Sequence, residues 1–416
     1  MENTFLIYGE YEYTYKDLID QLSLAREYNK YIYVKENNPF VIFKKIILSM
    51  MYGLEIEIID GDLSDREIVE LGLEKKSLLS SKSIYNPIKL KEYNDLIEQI
   101  YSNKNRFRIS IYTSGTTGRP KKVTHTFESI TRNVKIDDKF KSNVWGFAYN
   151  PTHMAGLQVL FQAFFNRCKI VYLFGDKKEQ LIEYLDKYKI TNISATATYY
   201  RNVLPQLYGN KFESVKYITF GGEQCDKKVI NKLSEIFPSC KFRNIYASTE
   251  AGSLFNSDGE VFRIKEELKP YIRINSSNEL LINEKLLGIS DNLKLTDGWY
   301  NTNDLVEMLN DGSFRFISRK SEIINVGGYK VNPLEVEDVL RELPDIKDAY
   351  VYARDNSVTG KLIAVDVIKE SDLEEKKLKI KIKEYANLKL QPWKIPRIIK
   401  FVDNIEETRT GKRKRV

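Results

Sequence analysis

Residues 110–126 read SIYTSGTTGRPKKVTHT, and this stretch is the most informative segment of the sequence. A β-type run at 108–112 leads into a loop that contains Gly115 and Gly118. Glycine lets the backbone turn its N–H groups inward without a Cβ clash, and concave groups of N–H donors bind anions. The pattern indicates a phosphate-binding loop after a strand, with a flexible surface turn as the alternative.

The same loop carries hydroxyl and ammonium groups that suit phosphate oxygens. Lys121 or Lys122 supplies a positive charge. The spacing differs from the G-x-x-x-x-G-K-[ST] pattern of a Walker loop, so the sequence predicts another class of nucleotide-binding loop. The hydroxyl-bearing residues are Thr113, Ser114, Thr116 and Thr117.

Downstream of this loop, short β-rich runs alternate with amphipathic stretches of helical spacing. This rhythm predicts a parallel sheet covered by helices, in which ligands bind at the carboxyl ends of the strands. The predicted strands are 169–174, 191–196, 216–222 and 241–248. The predicted helices are 177–190, 198–207 and 227–237.

The residue pattern of the sequence changes after about residue 297. Hairpin-like strands follow, with Asp-Gly pairs at two turns. From about residue 321 the pattern predicts a small α+β domain. Its predicted elements are a helix at 333–343, strands at 348–354 and 361–368, and a charged helix at 373–387.

Length and charge limit the class of protein. The chain has 416 residues, 42% of them hydrophobic, which is enough for two or three domains. The net charge of +7 is a mild excess, typical of a solvated surface; the alternative is steering of anions such as ATP, CoA or an acidic carrier protein. No long basic–aromatic stripe precedes the C-terminus, so we expect no nucleic-acid partner.

The cysteines and histidines of the sequence, and the lengths of its apolar runs, indicate the cellular compartment and the kind of metal site that the protein can have. The three cysteines form no CxxC pair, which favours a reducing compartment, and we expect a cytoplasmic protein. No run of about 18 apolar residues occurs, so we expect no membrane association. With His125 and His153 as the only histidines, a multi-histidine metal site is excluded.

The segment YTSGTTGRPKK resembles the signature loop of the adenylate-forming superfamily, which includes acyl-CoA synthetases, peptide-synthetase adenylation domains and beetle luciferases. The resemblance runs from about residue 13 to the C-terminus, and the overall pattern is similar to compact acyl-CoA synthetases of the o-succinylbenzoate–CoA ligase type. The further matching segments are NPTHMAGLQ (150–158), FGGEQ (220–224), NIYASTEAG (244–252), WYNTNDL (299–305), FISRKSEIINVGGYKVNPLEVE (316–337) and ETRTGKRKR (407–415).

The resemblance implies an α/β fold. We expect a large N-terminal domain, residues 1–318, of helix-covered, mostly parallel sheets with a smaller barrel-like β part. A small mobile α+β C-terminal domain, residues 319–416, would carry the catalytic lysine.

The resemblance also implies the residues that hold the nucleotide. The loop would bind the β- and γ-phosphates, Tyr246 would pack near adenine, and Asp304 would accept hydrogen bonds from the ribose. The implied ATP- and AMP-binding residues are Thr113, Ser114, Gly115, Thr116, Thr117, Gly118, Lys121, Gly222, Glu223, Tyr246, Asp304 and Arg319.

Three residues would perform the chemistry. Thr249 would contact the adenylate phosphate, and Glu250 would ligate Mg²⁺, for which a carboxylate is a suitable ligand. Lys412 would be the catalytic lysine. Without the resemblance, the segment 407–415 is typical of a solvated basic tail.

The acyl pocket and the thiol step are implied in the same way. His153, Gly221 and Ala247 would line the acyl pocket, with a purely structural role as the alternative for His153. The absence of an aspartate near His153 favours an acid without an α-amine. Ser321 would be the hinge of the mobile domain, and Gly327 and Gly328 would line a thiol channel.

The sequence departs from the family pattern at five of these places. Asn303 stands where glycine is usual, and asparagine tolerates left-handed backbone angles better than most residues. Asn325 stands where some members have a lysine for the thioester step. Lys122, Ala247 and Ser318 also replace a usual glycine.

The function that follows is ATP-dependent activation of a carboxylic acid to an acyl-adenylate, with release of pyrophosphate and transfer to a thiol. ATP and Mg²⁺ are the implied cofactors, and CoA is the implied co-substrate. One alternative is an enzyme that loads an acyl or aminoacyl group onto a carrier protein. The other is a nucleotide-binding relative with reduced catalysis.

Overall fold

A computed structural model describes residues 3–24, 27–28, 31–73, 83–84, 87–113, 121–223, 225, 227–356, 360–408 and 413. Six predicted site residues lie outside this range, and their assignments stay predictions. They are Ser114, Gly115, Thr116, Thr117, Gly118 and Lys412.

Helices and strands alternate through the first two thirds of the chain. The α-helices are α1 (Tyr15–Ser23), α2 (Pro39–Tyr52), α3 (Asp65–Glu70), α4 (Tyr93–Asn103), α5 (Phe127–Thr131), α6 (Met154–Phe165), α7 (Leu181–Tyr188), α8 (Ala197–Leu207), α9 (Lys227–Ile236), α10 (Pro333–Arg341) and α11 (Glu375–Lys389). Short 3₁₀ helices cover Asp138–Phe140, Gly175–Gln180, Glu266–Tyr271, Glu284–Leu286, Lys320–Glu322 and Pro392–Lys394.

The strands are numbered in chain order. They are β1 (Thr4–Tyr8), β2 (Tyr11–Thr14), β3 (Glu27–Tyr28), β4 (Tyr31–Glu36), β5 (Glu55–Asp60), β6 (Ser83–Ile84), β7 (Arg108–Thr113), β8 (Lys121–Thr126), β9 (Val144–Phe147), β10 (Lys169–Tyr172), β11 (Asn192–Ala195), β12 (Tyr217–Gly221), β13 (Lys241–Ser248), β14 (Gly252–Ser257), β15 (Val261–Phe262), β16 (Ile272–Ile274), β17 (Glu279–Asn283), β18 (Leu295–Thr296), β19 (Trp299–Met308), β20 (Phe314–Arg319), β21 (Ile324–Val326), β22 (Tyr329–Val331), β23 (Ile346–Asn356), β24 (Gly360–Lys369) and β25 (Ile398–Phe401).

The chain divides into two compact units. The first comprises Met1–Gln224, Leu233–Gly259 and Ile282–Tyr300, and the second comprises Cys225–Lys232, Glu260–Leu281 and Asn301–Val416. The predicted boundary between residues 318 and 319 divides the chain at one position, whereas each of these units combines several separate segments. That boundary stays a prediction.

The largest sheet of the first unit has eight strands in the order β14-β13-β12-β11-β9-β10-β1-β2. The strands from β13 to β1 run parallel to their neighbours, and β14 and β2 are antiparallel edges. The predicted parallel, helix-covered sheet is therefore confirmed. Because β13, β12, β11 and β9 are neighbours and parallel, their carboxyl ends meet at one edge of the sheet.

A second sheet of the first unit has the order β4-β5-β7-β8, with β7 and β8 antiparallel. The apolar helix α2 packs on the eight-stranded sheet: the ring of Phe43 lies 5.3 Å from that of Phe147 and 6.3 Å from that of Phe5. All three rings are fully buried. The core of this unit thus fixes the sheet whose strand ends carry the predicted site.

Local sequence explains where several helices begin. The hydroxyl of Thr196 accepts a hydrogen bond from the amide of Tyr199 and caps α8. The side chain of Asn332 caps α10, and Pro333 occupies the first helical position, where its fixed φ is favourable. The predicted helix 177–190 starts later, at Leu181, after a 3₁₀ helix that begins at Gly175 with a φ of +70°. The Lys and Glu residues of 177–180 are good helix formers, which is why the prediction extended too far.

The second unit contains the predicted α+β elements. Strands β23, β24 and β25 form a sheet, and α10 and α11 bury Val336, Leu340 and Ile382 in a core that includes Val365 of β24. Strands β19 and β20 form the predicted hairpin, whose turn contains Gly312 at a φ of +77°. Strands β21 and β22 form a second hairpin.

Candidate active site

Three predicted segments follow the carboxyl ends of neighbouring parallel strands. The segment with His153 follows β9, the Gly221–Gly222 pair ends β12, and Thr249 follows β13. Separate parts of the chain are therefore brought to one edge of the eight-stranded sheet, as the sequence predicts for a ligand site.

His125, on β8, joins the strand after the phosphate loop to the predicted phosphate-binding turn. Its Nε2 lies 2.8 Å from the carbonyl oxygen of Thr249, and its Nδ1 lies 3.1 Å from the hydroxyl of Ser129. A carbonyl oxygen only accepts, so Nε2 carries the proton in this arrangement. The ring is 1% exposed, and this burial lowers the pKa of His125 to about 4. His125 is therefore neutral near pH 7.

A third segment completes this junction. The amide of Gly288 donates to the carbonyl oxygen of Glu250 at 2.7 Å, and Thr124 and Ile289 exchange two backbone hydrogen bonds of 2.8 Å. A methyl group at Gly288 would lie 2.7 Å from the Cε1 atom of His125, so glycine is required for this approach. Strand β8, the Thr249–Glu250 turn and the Gly288 segment form one hydrogen-bonded unit, which we call the β8 junction.

The strands that flank the phosphate loop are paired up to its ends. Thr113 is opposite Lys121, and Tyr112 is opposite Lys122. The Nζ of Lys122 lies 2.9 Å from the carboxylate of Glu57, a fully buried residue of β5. Tyr112 also donates a hydrogen bond to Glu57, and burial together with this carboxylate raises the pKa of Tyr112. The two lysines of the loop are therefore in different environments.

The end of β12 has a glycine for a steric reason. A methyl group at Gly221 would lie 2.7 Å from the hydroxyl oxygen of Tyr149. Gly222 follows with a φ of +84°, a backbone region that favours glycine. Glu223 accepts hydrogen bonds of 3.0 and 2.6 Å from the amide and hydroxyl of Thr198, at the start of α8. The predicted nucleotide-binding role of Glu223 stays a prediction; its carboxylate anchors α8.

His153 belongs to a polar cluster around Asp60. The Nε2 of His153 lies 3.2 Å from Asp60, and Asn150 donates to the same carboxylate at 2.8 Å. The hydroxyl of Thr152 also bonds to Asp60. Burial raises the pKa of Asp60, but the hydrogen bonds from these three residues outweigh it, so the pKa is lowered and the group is ionised near neutral pH.

Tyr246 and Ala247 lie at an irregularity of the sheet. The register of β13 and β14 shifts between these two residues, and Ala247 is opposite Ser253. The ring of Tyr246 lies 5.6 Å from that of Phe255. The extra residue of this irregularity is Leu254 of β14, which lies between the partners of Tyr246 and Ala247.

In the second unit, Asp304 and Arg319 are opposite each other on β19 and β20. The Nε of Arg319 donates to the carboxylate of Asp304 at 3.0 Å. Asn303 has a φ of +60°, so the expectation that asparagine there adopts the left-handed conformation of the usual glycine is confirmed. Ser321 lies in the short 3₁₀ helix Lys320–Glu322 directly after β20.

Gly327 and Gly328 form the turn between β21 and β22, with φ angles of +58° and +90°. The side chain of Asn325 accepts a hydrogen bond of 2.9 Å from the amide of Gly328. Asparagine at this position therefore stabilises the turn.

Four residues of the site and its surroundings could not be recognised from the sequence alone. Glu57 and Asp60 are acidic residues in a strand with apolar alternation, a pattern that gives no sign of their partners. His125 was noted only as one of the two histidines, and Arg413 only within the segment 407–415. Arg413 is 9% exposed, so this residue of the basic tail is buried.

The described ranges of the chain contain neither a metal-ligand cluster nor a membrane-spanning helix. No group of three or more His, Cys, Asp or Glu residues there is placed to hold a metal ion. No helix among those residues is both long and apolar enough to cross a membrane.

Family comparisons agree with this geometry. The model described as "AMP-binding enzyme" matches residues 63–272, about half of the chain, and the model described as "AMP-binding enzyme C-terminal domain" matches residues 335–412. The chain belongs to the AMP-binding enzyme family. The resemblance that the phosphate loop indicated is confirmed.

Individual relatives are more distant. The chain is 27% identical over 352 residues to 4-hydroxybutyrate–CoA ligase 1 of Metallosphaera sedula, covering 74% of this chain and 61% of that protein. It is 25% identical over 325 residues to the 2-succinylbenzoate–CoA ligase of Listeria monocytogenes, covering 73% of this chain and 67% of that protein. The chain thus spans 61% and 67% of the lengths of these two relatives.

A solved structure shares the fold. The o-succinylbenzoate CoA synthetase of Bacillus subtilis, in complex with its acyl-adenylate intermediate, matches with a TM-score of 0.72 at 19% identity, over 99% of this chain and 94% of that chain. The predicted fold class, a mixed α/β protein, is confirmed.

Proposed function

We propose that this protein activates a carboxylic acid with ATP to give an acyl-adenylate and pyrophosphate. The thiol sulfur of CoA then attacks the acyl carbonyl carbon, the bond from that carbon to the phosphate oxygen breaks, and AMP is released. In the first step a carboxylate oxygen of the acid attacks the α-phosphorus of ATP, and the bond from that phosphorus to pyrophosphate breaks. The observation that carries this proposal is the β8 junction, which ties the strand after the phosphate loop to Thr249 and Glu250.

The two loop lysines differ in their availability for phosphate. The ammonium of Lys122 is engaged by the buried carboxylate of Glu57. We therefore assign the phosphate contact to Lys121. Lys122 stands where the family usually has glycine, and its ammonium pairs with Glu57. The replacement therefore has a structural role of its own and leaves Lys121 to contact phosphate in an active loop.

The residues present fit Mg²⁺ held mainly by phosphate oxygens. Mg²⁺ in such sites takes one or two carboxylates from the protein, and Glu250 provides one at the end of β13. When bound, Mg²⁺ would neutralise charge on the phosphates. Thr249 would hydrogen-bond the adenylate phosphate, while His125 and Gly288 fix the backbone of the turn.

Other roles follow from side-chain chemistry. The carboxylate of Asp304 would accept hydrogen bonds from the ribose hydroxyls, and Arg319, half-exposed beside it, would contact ribose or phosphate. Lys412 would stabilise the charge that develops on the α-phosphate, a type of contribution worth about 3–4 kcal/mol for a key donor. Ser321 would be the hinge for the thiol step.

The acyl site would lie at His153, Gly221 and Ala247. In this proposal the His153 ring would form part of the pocket wall. The ionised Asp60 beside it already accepts hydrogen bonds from Asn150 and Thr152 and lies 3.2 Å from the His153 Nε2. We propose a carboxylic acid that lacks an α-amino group. The three cysteines are unpaired, which agrees with a reducing compartment, and we propose the cytoplasm.

The test is ATP–pyrophosphate exchange with Mg²⁺ across aromatic, short-chain and long-chain acids and amino acids. Exchange with one acid class supports adenylation and identifies the substrate class. Adding CoA or an acidic carrier protein to the active acid then identifies the thiol acceptor by formation of a thioester. ATP binding without exchange, for every acid tested, would contradict the proposal.

A further inference from the structure

The second unit contains a buried network of two carboxylates and two guanidinium groups. Glu337 is fully buried on α10, Arg341 ends the same helix, and Asp348 lies on β23. The side chains of Arg341 and Arg413 are each 6% exposed. Arg413 belongs to the basic segment at the end of the chain, so one tail residue reaches the interior of this unit.

Arg413 makes the contacts that a guanidinium is shaped to make. Its Nη2 donates to the Oδ2 of Asp348 at 2.6 Å and also bonds to the other carboxylate oxygen. Its Nη1 donates to the carbonyl oxygen of Ala349 at 2.9 Å and to Glu337 at 3.2 Å. A planar guanidinium can address these acceptors together, whereas a lysine ammonium cannot.

Arg341 is shared between the two buried carboxylates. It bonds to Glu337 at 2.9 Å and to Asp348 at 3.0 Å, so a single positive charge is shared by two buried carboxylates. It also pairs with Asp338, which is half-exposed. Arg413 supplies the second buried positive charge. Removing one member of such a network leaves an uncompensated buried charge, which is strongly unfavourable.

The backbone of Arg413 is fixed as well. Arg413 forms an isolated antiparallel bridge with Glu407. Glu407 and Arg413, the two partners of this bridge, are both described residues of the second unit. Lys412, the proposed catalytic lysine, directly precedes Arg413 in the sequence.

We propose that Arg413 is a positioning residue that anchors the tail in this buried acidic pocket and thereby holds Lys412 for the adenylation step. The inference rests on the proposed function for the role of Lys412. It goes beyond that function because it assigns a buried arginine, Arg413, to the placement of the lysine. Arg413 itself contacts no substrate in this proposal.

The test is a double-mutant cycle on the full chain, read out by ATP–pyrophosphate exchange with the active acid. Arg413→Met is expected to lower kcat about 10- to 100-fold, because small misplacements of a catalytic group have effects of that size. The KM for ATP should stay within about twofold, since binding contacts are retained. In a Lys412→Ala background, Arg413→Met should cause no further loss, because the group that it positions is absent. Equal losses in both backgrounds would overturn the proposal.

Two further variants separate positioning from folding. Asp348→Asn combined with Arg413→Met removes one buried charge of each sign, so it should restore the melting temperature while kcat stays low. Lys414→Met, which removes the neighbouring tail charge, should leave kcat unchanged. Recovery of kcat along with stability in the double variant would show that Arg413 acts only on folding, and would overturn the proposal.

Hydrogen–deuterium exchange of the tail peptides gives a readout that is independent of activity. The amides of 408–412 should lose protection in the Arg413→Met variant and in the stabilised double variant, and keep it in Lys414→Met. Unchanged protection would overturn the anchoring. If the wild-type chain shows no pyrophosphate exchange with any acid, the proposed function fails, and this measurement alone decides whether Arg413 anchors the segment.

Discussion

The Nε2 of His125 lies 2.8 Å from the carbonyl oxygen of Thr249, so a neutral, buried ring holds the backbone of the proposed phosphate-binding turn. This contact spans 124 positions of the sequence and connects two segments that were predicted as separate motifs. A carbonyl oxygen that lost this donor inside the protein would be left unsatisfied, at a cost of about 1–3 kcal/mol. The contact therefore bears on both activity and stability.

Removing the donor should impair adenylation, and a side chain that restores it should rescue the enzyme. We expect His125→Leu to lower kcat for pyrophosphate exchange by about tenfold or more, because the Thr249–Glu250 turn is no longer fixed. His125→Gln keeps an N–H donor of similar reach and should retain most of the rate. The comparison of kcat and KM for the two variants checks this. Equal losses in Leu and Gln would mean that the hydrogen bond is not what matters.

The same histidine should make stability depend on pH. Burial lowers the folded-state pKa of His125 to about 4, against an unfolded value near 6.5. Between these values the unfolded chain binds more protons, so stability rises with pH and is lost as pH falls toward 4. For this group alone the loss from pH 7 to pH 5 is about 2 kcal/mol. Urea unfolding at both pH values measures it.

His125→Gln is the control for the pH experiment, since it retains the hydrogen bond but does not titrate. The difference between wild type and this variant isolates the contribution of His125 from those of all other titratable groups. A wild-type pH dependence that is identical to that of the variant would contradict the assigned pKa shift.

How far the sequence predicted the site depends on whether a residue acts through its neighbours in the chain or through distant ones. The strand and helix periodicity placed Thr249 and Gly221 at strand ends, and the left-handed Asn303 followed from its residue type. The Asp60–His153 pair spans 93 positions and depends on the packing of two different sheets. Arg413 looked like one charge of a solvated run, because no local pattern records a buried acidic pocket 65 positions away.

The close approach of Gly221 and Tyr149 gives a prediction with a matched rescue. A methyl group at Gly221 would lie 2.7 Å from the Tyr149 hydroxyl, and Tyr149 is buried, so neither group has room to move. We expect Gly221→Ala to destabilise the protein by about 1–3 kcal/mol. Tyr149→Phe removes the clashing oxygen, so the double variant should be more stable than the sum of the single effects implies. Thermal unfolding of all four proteins closes the cycle, and strict additivity would contradict the clash.

The two lysines after the phosphate loop should have opposite phenotypes. Lys121→Met is expected to weaken pyrophosphate exchange by about tenfold, on the scale of a lost charge-assisted contact, with little change in stability. Lys122→Met removes the ammonium from the fully buried Glu57, and we expect it to destabilise the fold by about 2 kcal/mol, reduced from the value for a deeply buried pair because Lys122 is 32% exposed. Exchange kinetics and urea unfolding are measured on both variants.

Glu57→Gln distinguishes the two explanations for any loss in Lys122→Met. If Lys122 acts by neutralising Glu57, then adding Glu57→Gln to Lys122→Met removes the unpaired buried charge and should recover much of the stability, while the kinetics stay close to wild type throughout. If Lys122 instead contacts phosphate, the double variant should remain slow however stable it becomes. Because Lys121 and Lys122 are adjacent on one strand and equal in charge, a crossed pattern of rate and stability can arise only from their different partners.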